Sequence, residues 1–169
     1  VNAVTSDIDC FGNNNGSIDL TVSDGATPYS FIWNNGAITE DLSNLAAGTY
    51  TVVVNDAAGQ SYTSSYIIIE PSAITATYSV TNVTTLGGND GAIDLIASGG
   101  VAPYLYYWST SPTQTTEDIS NLIAGTYTVW IVDVNNCYIG VDIDVVEDLS
   151  NQSCSEDAPA NLFVSDIIS

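Results

Sequence analysis

The chain has 169 residues, enough for one average domain or two small ones, and 45 % of them are apolar, enough to build a core. Its charge is one-sided: 20 Asp and Glu face no Lys, Arg or His, a formal net charge of -20. This excludes a phosphate-loop lysine, an arginine finger, a histidine base or metal ligand, a Schiff-base lysine and a Lys–Asn isopeptide crosslink. It also argues against nucleic acid and anionic membranes as partners, because nothing neutralises their phosphates.

In chain order the pattern is β throughout. Strands are expected over 2–9, 17–23, 29–34, near 38–42, 49–55 and 61–69, from period-two alternation such as Ser17-Ile18-Asp19-Leu20-Thr21-Val22. Asn15-Gly16 and Asp90-Gly91 are turn dipeptides in which Gly tolerates positive φ. The short DLSNL and DISNL stretches are the only places with room for a helical turn. The whole set then repeats. Residues 13–33 (NNNGSIDLTVSDGATPYSFIW) match 88–108 (GNDGAIDLIASGGVAPYLYYW), with Gly16 and Gly91 75 positions apart. TEDLSNLAAGTYTVVVND then matches TEDISNLIAGTYTVWIVD, with Tyr50 and Tyr127 77 apart, so the second copy carries two extra residues near Pro112. A period of this size fits a small self-contained domain. The expected architecture is all-β: two tandem antiparallel β-sandwiches over 1–71 and 72–148, then a strand-like tail over 149–169. Tyr50 and Tyr127, each after Leu-x-Ala-Gly-Thr, are placed at tyrosine corners, and Trp33 and Trp108 in the cores.

The strings Gly16/Gly91-x-Ile-Asp, Pro-Tyr…Trp and Leu-x-Ala-Gly-Thr-Tyr-Thr-Val together resemble the SprB-type repeat of Bacteroidetes cell-surface gliding adhesins. The resemblance covers roughly residues 4–70 and 77–147. It implies Ig-like extracellular modules with adhesive or structural duty and no enzymatic activity. The family pattern also implies a Cys before the first turn and another after the fifth strand of each copy. The first copy keeps only Cys10, with Gln60 at the second position; the second keeps only Cys137, with Thr85 at the first. Neither copy closes an internal bridge on this reading. Cys10, Cys137 and Cys154 are left as inert thiols or as partners in a bridge between subunits or through the tail.

Oxygen-only side chains suit a hard cation, and Ca2+ is the candidate cofactor. Its candidate ligands are Asp24, Asp41, Asp56, Glu70 and Asp133, at loop ends and near the domain junction. Asn13 to Ile18 lacks the carboxylates of a calcium loop and reads as a hairpin turn. Glu40-Asp41 and Glu117-Asp118 are adjacent, so their side chains diverge and no glycosidase pair results. Ile32 and Val53 in the first copy, Tyr107 and Trp130 in the second, fall on outward positions of adjacent strands. They form a candidate contact patch for a surface glycan or another subunit. Asn15, Asn82 and Asn151 head N-x-S/T sequons.

No apolar run reaches the roughly 18 residues of a membrane span, so direct membrane insertion is not expected. The start at Val1 reads as a processed chain or a segment of a longer one. The lack of Lys and Arg removes trypsin-type cleavage sites, which suits life outside the cell. The last nine residues, NLFVSDIIS, echo NAVTSDID at the start, with Leu162, Phe163, Val164 and Ile167 available for burial. They read as the beginning of a further repeat or as a strand inserted into a neighbouring subunit. The expected partners are therefore further copies of the chain, in a homopolymer or array, and surface glycans. The expected function is that of an extracellular filament subunit or adhesin stalk, with carbohydrate binding as the alternative.

Overall fold

The computed structural model describes residues 1–148 and Ser150. These form twelve strands with no α-helix: β1 (Asn2–Ser6), β2 (Gly16–Thr21), β3 (Ser30–Trp33), β4 (Leu42–Leu45), β5 (Gly48–Asn55) and β6 (Ser61–Ile68), then β7 (Thr75–Thr81), β8 (Gly91–Ser98), β9 (Leu105–Trp108), β10 (Ile119–Leu122), β11 (Gly125–Val132) and β12 (Tyr138–Val145). They pair into four three-stranded antiparallel sheets, ordered β1-β2-β4 and β3-β5-β6 in the first copy, β7-β8-β10 and β9-β11-β12 in the second. Strands one, two and four on one sheet and three, five and six on the other is the Ig-like sandwich arrangement without its intervening fourth strand.

Period-two alternation decides which face is buried. In β2, Gly16, Ile18 and Leu20 point inward; in β8, Gly91, Ile93 and Leu95 do. They meet Trp33, Val52, Val54 and Ile68 in the first sandwich and Trp108, Val129, Ile131, Ile143 and Val145 in the second. The two cores share no residue. Each buried indole keeps its N–H satisfied: Trp33 Nε1 donates to the Thr39 carbonyl at 2.8 Å and Trp108 Nε1 to that of Thr116 at 2.9 Å.

Two local expectations change. DLSNL and DISNL are the strands β4 and β10, not helical turns. Leu42 and Leu45, like Ile119 and Leu122, both face the core because Asn44 (φ 55°) and Asn121 (φ 60°) form a bulge between them. Gly16 and Gly91 are not at positive φ. They open β2 and β8 where a Cβ would lie 2.6 Å from Ile68 Cγ2 and 2.8 Å from Val145 Cγ1, so close packing, not backbone freedom, demands glycine there.

After β1 and β7 the chain crosses to the opposite sheet. Ile8 N–H donates to the Ile69 carbonyl and Val83 N–H to that of Val146, and Val83 bridges Glu147 in parallel. This lays a chain segment against the ends of the edge strands β6 and β12.

Candidate functional site: acidic clamps, the inter-repeat junction and an aromatic face

With no basic side chain to meet them, many of the acids accept hydrogen bonds from the backbone, and they do so at matching positions in both copies. Asp56 binds Ala26 N–H through Oδ2 (3.1 Å) and Ala58 and Gln60 N–H through Oδ1 (2.9 and 2.8 Å), tying the β5–β6 turn to the β2–β3 loop. Asp133 repeats this with Val101, Asn135 and Cys137, all at 2.9 Å. Asp41 and Asp118 accept from Leu20 and Leu95 N–H at 2.9 Å. Glu70 and Glu147 accept from Gly12 and Gly87 N–H at 2.8 Å, fastening the end of each last strand to the first turn of its own sandwich. Among the described residues no buried side-chain polar atom lacks a partner.

At Asp56, Asp90 and Asp9 such hydrogen bonds favour the charged carboxylate. Asp56 is held below its ordinary pKa chiefly by Ala26 N–H and then Gln60 N–H. Asp90 is lowered by the Thr84 side chain, then the Thr84 N–H, and Asp9 by the side chains of Asn13 and then Asn15. Tyr106 moves the other way. Burial, then its hydrogen bond to Glu117, raises its phenol.

The five candidate cation ligands are thus dispersed. Asp24 and Asp56 line one recess at the outer end of the first sandwich. Asp41 lies along β2, Glu70 at the first turn and Asp133 at the junction. Among the described residues no group of three His, Cys, Asp or Glu side chains converges as a metal site. Glu40-Asp41 and Glu117-Asp118 serve as structural acceptors through Asp41, Glu117 and Asp118. Of the sequon asparagines, Asn15 Oδ1 accepts Asp9 N–H and Asn82 Oδ1 accepts Val146 N–H, while Asn151 lies outside the described residues.

Tyr50 OH donates to the Ala46 carbonyl and Tyr127 OH to that of Ile123, each at 2.9 Å. These are tyrosine-corner bonds, with both rings half-buried rather than fully enclosed.

At the junction the turn after β1 meets the β11–β12 turn of the second sandwich, and Cys10 is bonded to Cys137, with Cα atoms 5.6 Å apart. Asn135 Nδ2 adds a 3.0 Å bond to the Asp9 carbonyl. The bridge therefore runs within one chain, between repeats, and not between subunits. Topology explains why. The two cysteine positions of a single copy lie at opposite ends of its last strand. The eight residues of β12 span about 26 Å, far beyond the roughly 7 Å limit for a disulfide. Consecutive copies bring the complementary positions together instead. Cys154 lies outside the described residues, as do Leu162, Phe163, Val164 and Ile167.

The bridge borders a cleft of about 370 Å³ lined by Phe11, Pro71, Ile74, Asp133 and Tyr138 among others. Tyr138 connects this cleft to the outer face of the β9-β11-β12 sheet. Tyr107 pairs in register with Trp130, and Trp130 with Gly140. The Trp130 indole covers Gly140, whose Cβ would lie 3.0 Å from the ring, and meets the Tyr138 ring edge-on at 5.7 Å between centroids. All three aromatics are exposed: Tyr107 44 %, Trp130 48 %, Tyr138 64 %. Tyr138 escaped the sequence reading because it opens its strand beside Cys137, in a segment where the two copies diverge. The corresponding first-copy pair, Ile32 and Val53, is also in register but lacks aromatics.

The family model of the SprB repeat matches residues 2–38 and 77–113. One match falls in each sandwich, running from the first strand through the third in the first copy and over the corresponding strands in the second. SprB repeats occur in cell-surface adhesins. No curated protein matches the chain. Similar solved structures include an amphioxus IgVJ-C2 molecule, at 17 % identity over 79 % of this chain and 97 % of that one, TM-score 0.38. A structure describing Dscam isoform specificity shows 11 % identity over 88 % of this chain, TM-score 0.39. This chain spans 47 % of it.

Proposed function

We infer that this chain is a non-enzymatic length of an extracellular surface protein, the subunit of a filament or the stalk of an adhesin. The observation that carries the reading is the end-to-end joining of two SprB-repeat sandwiches by a covalent bridge at their junction. An all-acidic surface whose carboxylates are used as internal clamps supports it, because such a protein keeps its loops closed without ion pairs and repels its neighbours laterally. Growth in length would then come from the chain ends, with Leu162, Phe163, Val164 and Ile167 adding to a sheet of a neighbouring copy. Electron microscopy of native material decorated with an antibody against the chain tests this. Label along surface fibres or stalks is the expected result, and label confined to the cytoplasm refutes it. Purified chain lacking Asn161–Ser169 should remain folded and fail to polymerise; assembly equal to the full chain removes the tail mechanism.

A second reading, glycan binding, is favoured by the Tyr107–Trp130–Tyr138 face, which offers exposed rings beside the carboxylates of Asp142 and Asp144. With carboxylates and no Lys, Arg or His on this face, acidic sugars are repelled, and neutral glycans are the ligands to test. Trp130→Ala should abolish binding to a neutral-glycan array; an unchanged binding profile rejects this face.

A further inference from the structure

We propose that the Cys10–Cys137 bridge makes the two repeats a nearly inextensible link, in which tension travels along β1, through the disulfide and along β12, bypassing both sandwich cores. The inference rests on the stalk reading for its biological purpose, but not for its mechanics.

The path follows from where the strand ends lie. Val1 lines a recess with Gly25, Tyr29, Asp56 and Gln60, residues of the β2–β3 and β5–β6 turns at the outer end of the first sandwich. Cys10 and Phe11 line the junction cleft with Gly100 and Asp133 of the second sandwich. The segment holding β1 therefore traverses the first sandwich from outer end to junction. Cys137 sits at the same junction, and β12 begins at the next residue. It finishes near Glu147, which binds Gly87 in the turn after β7, the counterpart of the Glu70–Gly12 bond beside Cys10. The segment holding β12 traverses the second sandwich in turn. Both segments are already largely extended, at roughly 3.3 Å per residue against a limit of about 3.6 Å.

Without the bridge, a pull on the two ends reaches the linker at Pro71 only through the hydrogen-bonded sheets, and unfolding either sandwich releases its length. With the bridge, the 127 residue steps between Cys10 and Cys137 are off the covalent path. Even complete peeling of β1 and β12 frees no part of that loop. Loss of the bridge should lengthen the fully stretched chain by about 410–450 Å, from 127 steps of about 3.3–3.6 Å less the 5.6 Å crosslink.

Single-molecule stretching of the full chain, held by handles at its two ends, tests this. Cys154→Ser in every sample removes the third thiol. The oxidised chain is expected to show no step of sandwich size. Adding a thiol reductant to the same molecule should reveal two such steps and the full gain in length, and Cys10→Ser should show them from the start. If Cys10→Ser fails to fold, the before-and-after comparison on the bridged chain decides alone. Sandwich-sized steps in the oxidised chain, a final length unchanged by reduction, or peptide mapping that finds no Cys10–Cys137 linkage overturns the proposal. The stretching results leave the stalk reading standing, since that depends on where the native protein is found, whereas a missing linkage also removes the bridge that carries that reading.

Discussion

Replacing Asp133 with Ala removes the most deeply buried of the acidic clamps. Its carboxylate is 3 % exposed and accepts three backbone N–H groups, from Val101, Asn135 and Cys137, each at 2.9 Å. A hydrogen bond to a charged group contributes about 1.5–3 kcal/mol, and a buried donor left without a partner costs about 1–3 kcal/mol. Val101 and Asn135 are exposed enough for water to replace part of the loss, whereas Cys137 is less so. Removing one of 20 acids also relieves a little self-repulsion. The net expectation is a loss of about 3–5 kcal/mol. For a sandwich of this size each kcal/mol moves Tm by about 4–8 °C, so its transition should fall by at least about 12 °C. Scanning calorimetry of the full chain reads this directly, with the first sandwich's transition as an internal reference. Asp133→Asn should fall in between: its carbonyl oxygen can keep two of the donors, but its amide then faces the third. Asp56→Ala removes the same three contacts at the solvent-exposed outer end and should lower Tm less. Asp133 also shapes the turn that presents Cys137, so its Ala variant should leave more free thiol after oxidative refolding. A Tm within about 2 °C of wild type, or a larger fall for Asp56→Ala, would refute the reasoning.

Tyr127→Phe deletes the 2.9 Å bond to the Ile123 carbonyl and should cost about 1 kcal/mol in a denaturant titration. Gly91→Ala forces a Cβ to within 2.8 Å of Val145 Cγ1 and 2.9 Å of the Leu122 carbonyl oxygen and should cost about 1–3 kcal/mol by the same measurement. Asp9, Asp56 and Asp90 have pKa values depressed below 3.8, so the unfolded chain binds more protons as the medium turns acidic. Their contribution to stability is fully present above about pH 3.8 and is lost as pH falls through the lower folded values; Tm unchanged between pH 5 and pH 2.5 contradicts this. Millimolar Ca2+ should raise Tm no more than a monovalent salt of equal ionic strength, because the candidate carboxylates do not converge among the described residues and Asp41, Asp56, Glu70 and Asp133 already accept backbone N–H groups. Stabilisation beyond that salt effect, reversed by EDTA, would reveal a specific site.

The all-β class, the duplication and the inward faces of the strands were legible from alternation and from the repeat itself. A period-two pattern with one apolar face has a single way to bury that face, and Ile18, Leu20, Val52 and Val54 obey it. The Leu-x-Ala-Gly-Thr-Tyr segments likewise signalled their own local bonds, since a tyrosine corner closes within four residues. The DLSNL stretch was misread because one left-handed Asn puts both leucines on the same side, which mimics a helical spacing. The roles of the acids were hidden for another reason. A carboxylate clamp depends on which loop's N–H groups lie opposite it, as with Asp133 and Val101, 32 positions apart. The cysteines show the limit most plainly. One copy holds the first position and the other the second, and sequence alone cannot tell whether two such positions face each other. Only the end-to-end stacking of the sandwiches decides it, by setting the turn after β1 of one against the β11–β12 turn of the other at bonding distance.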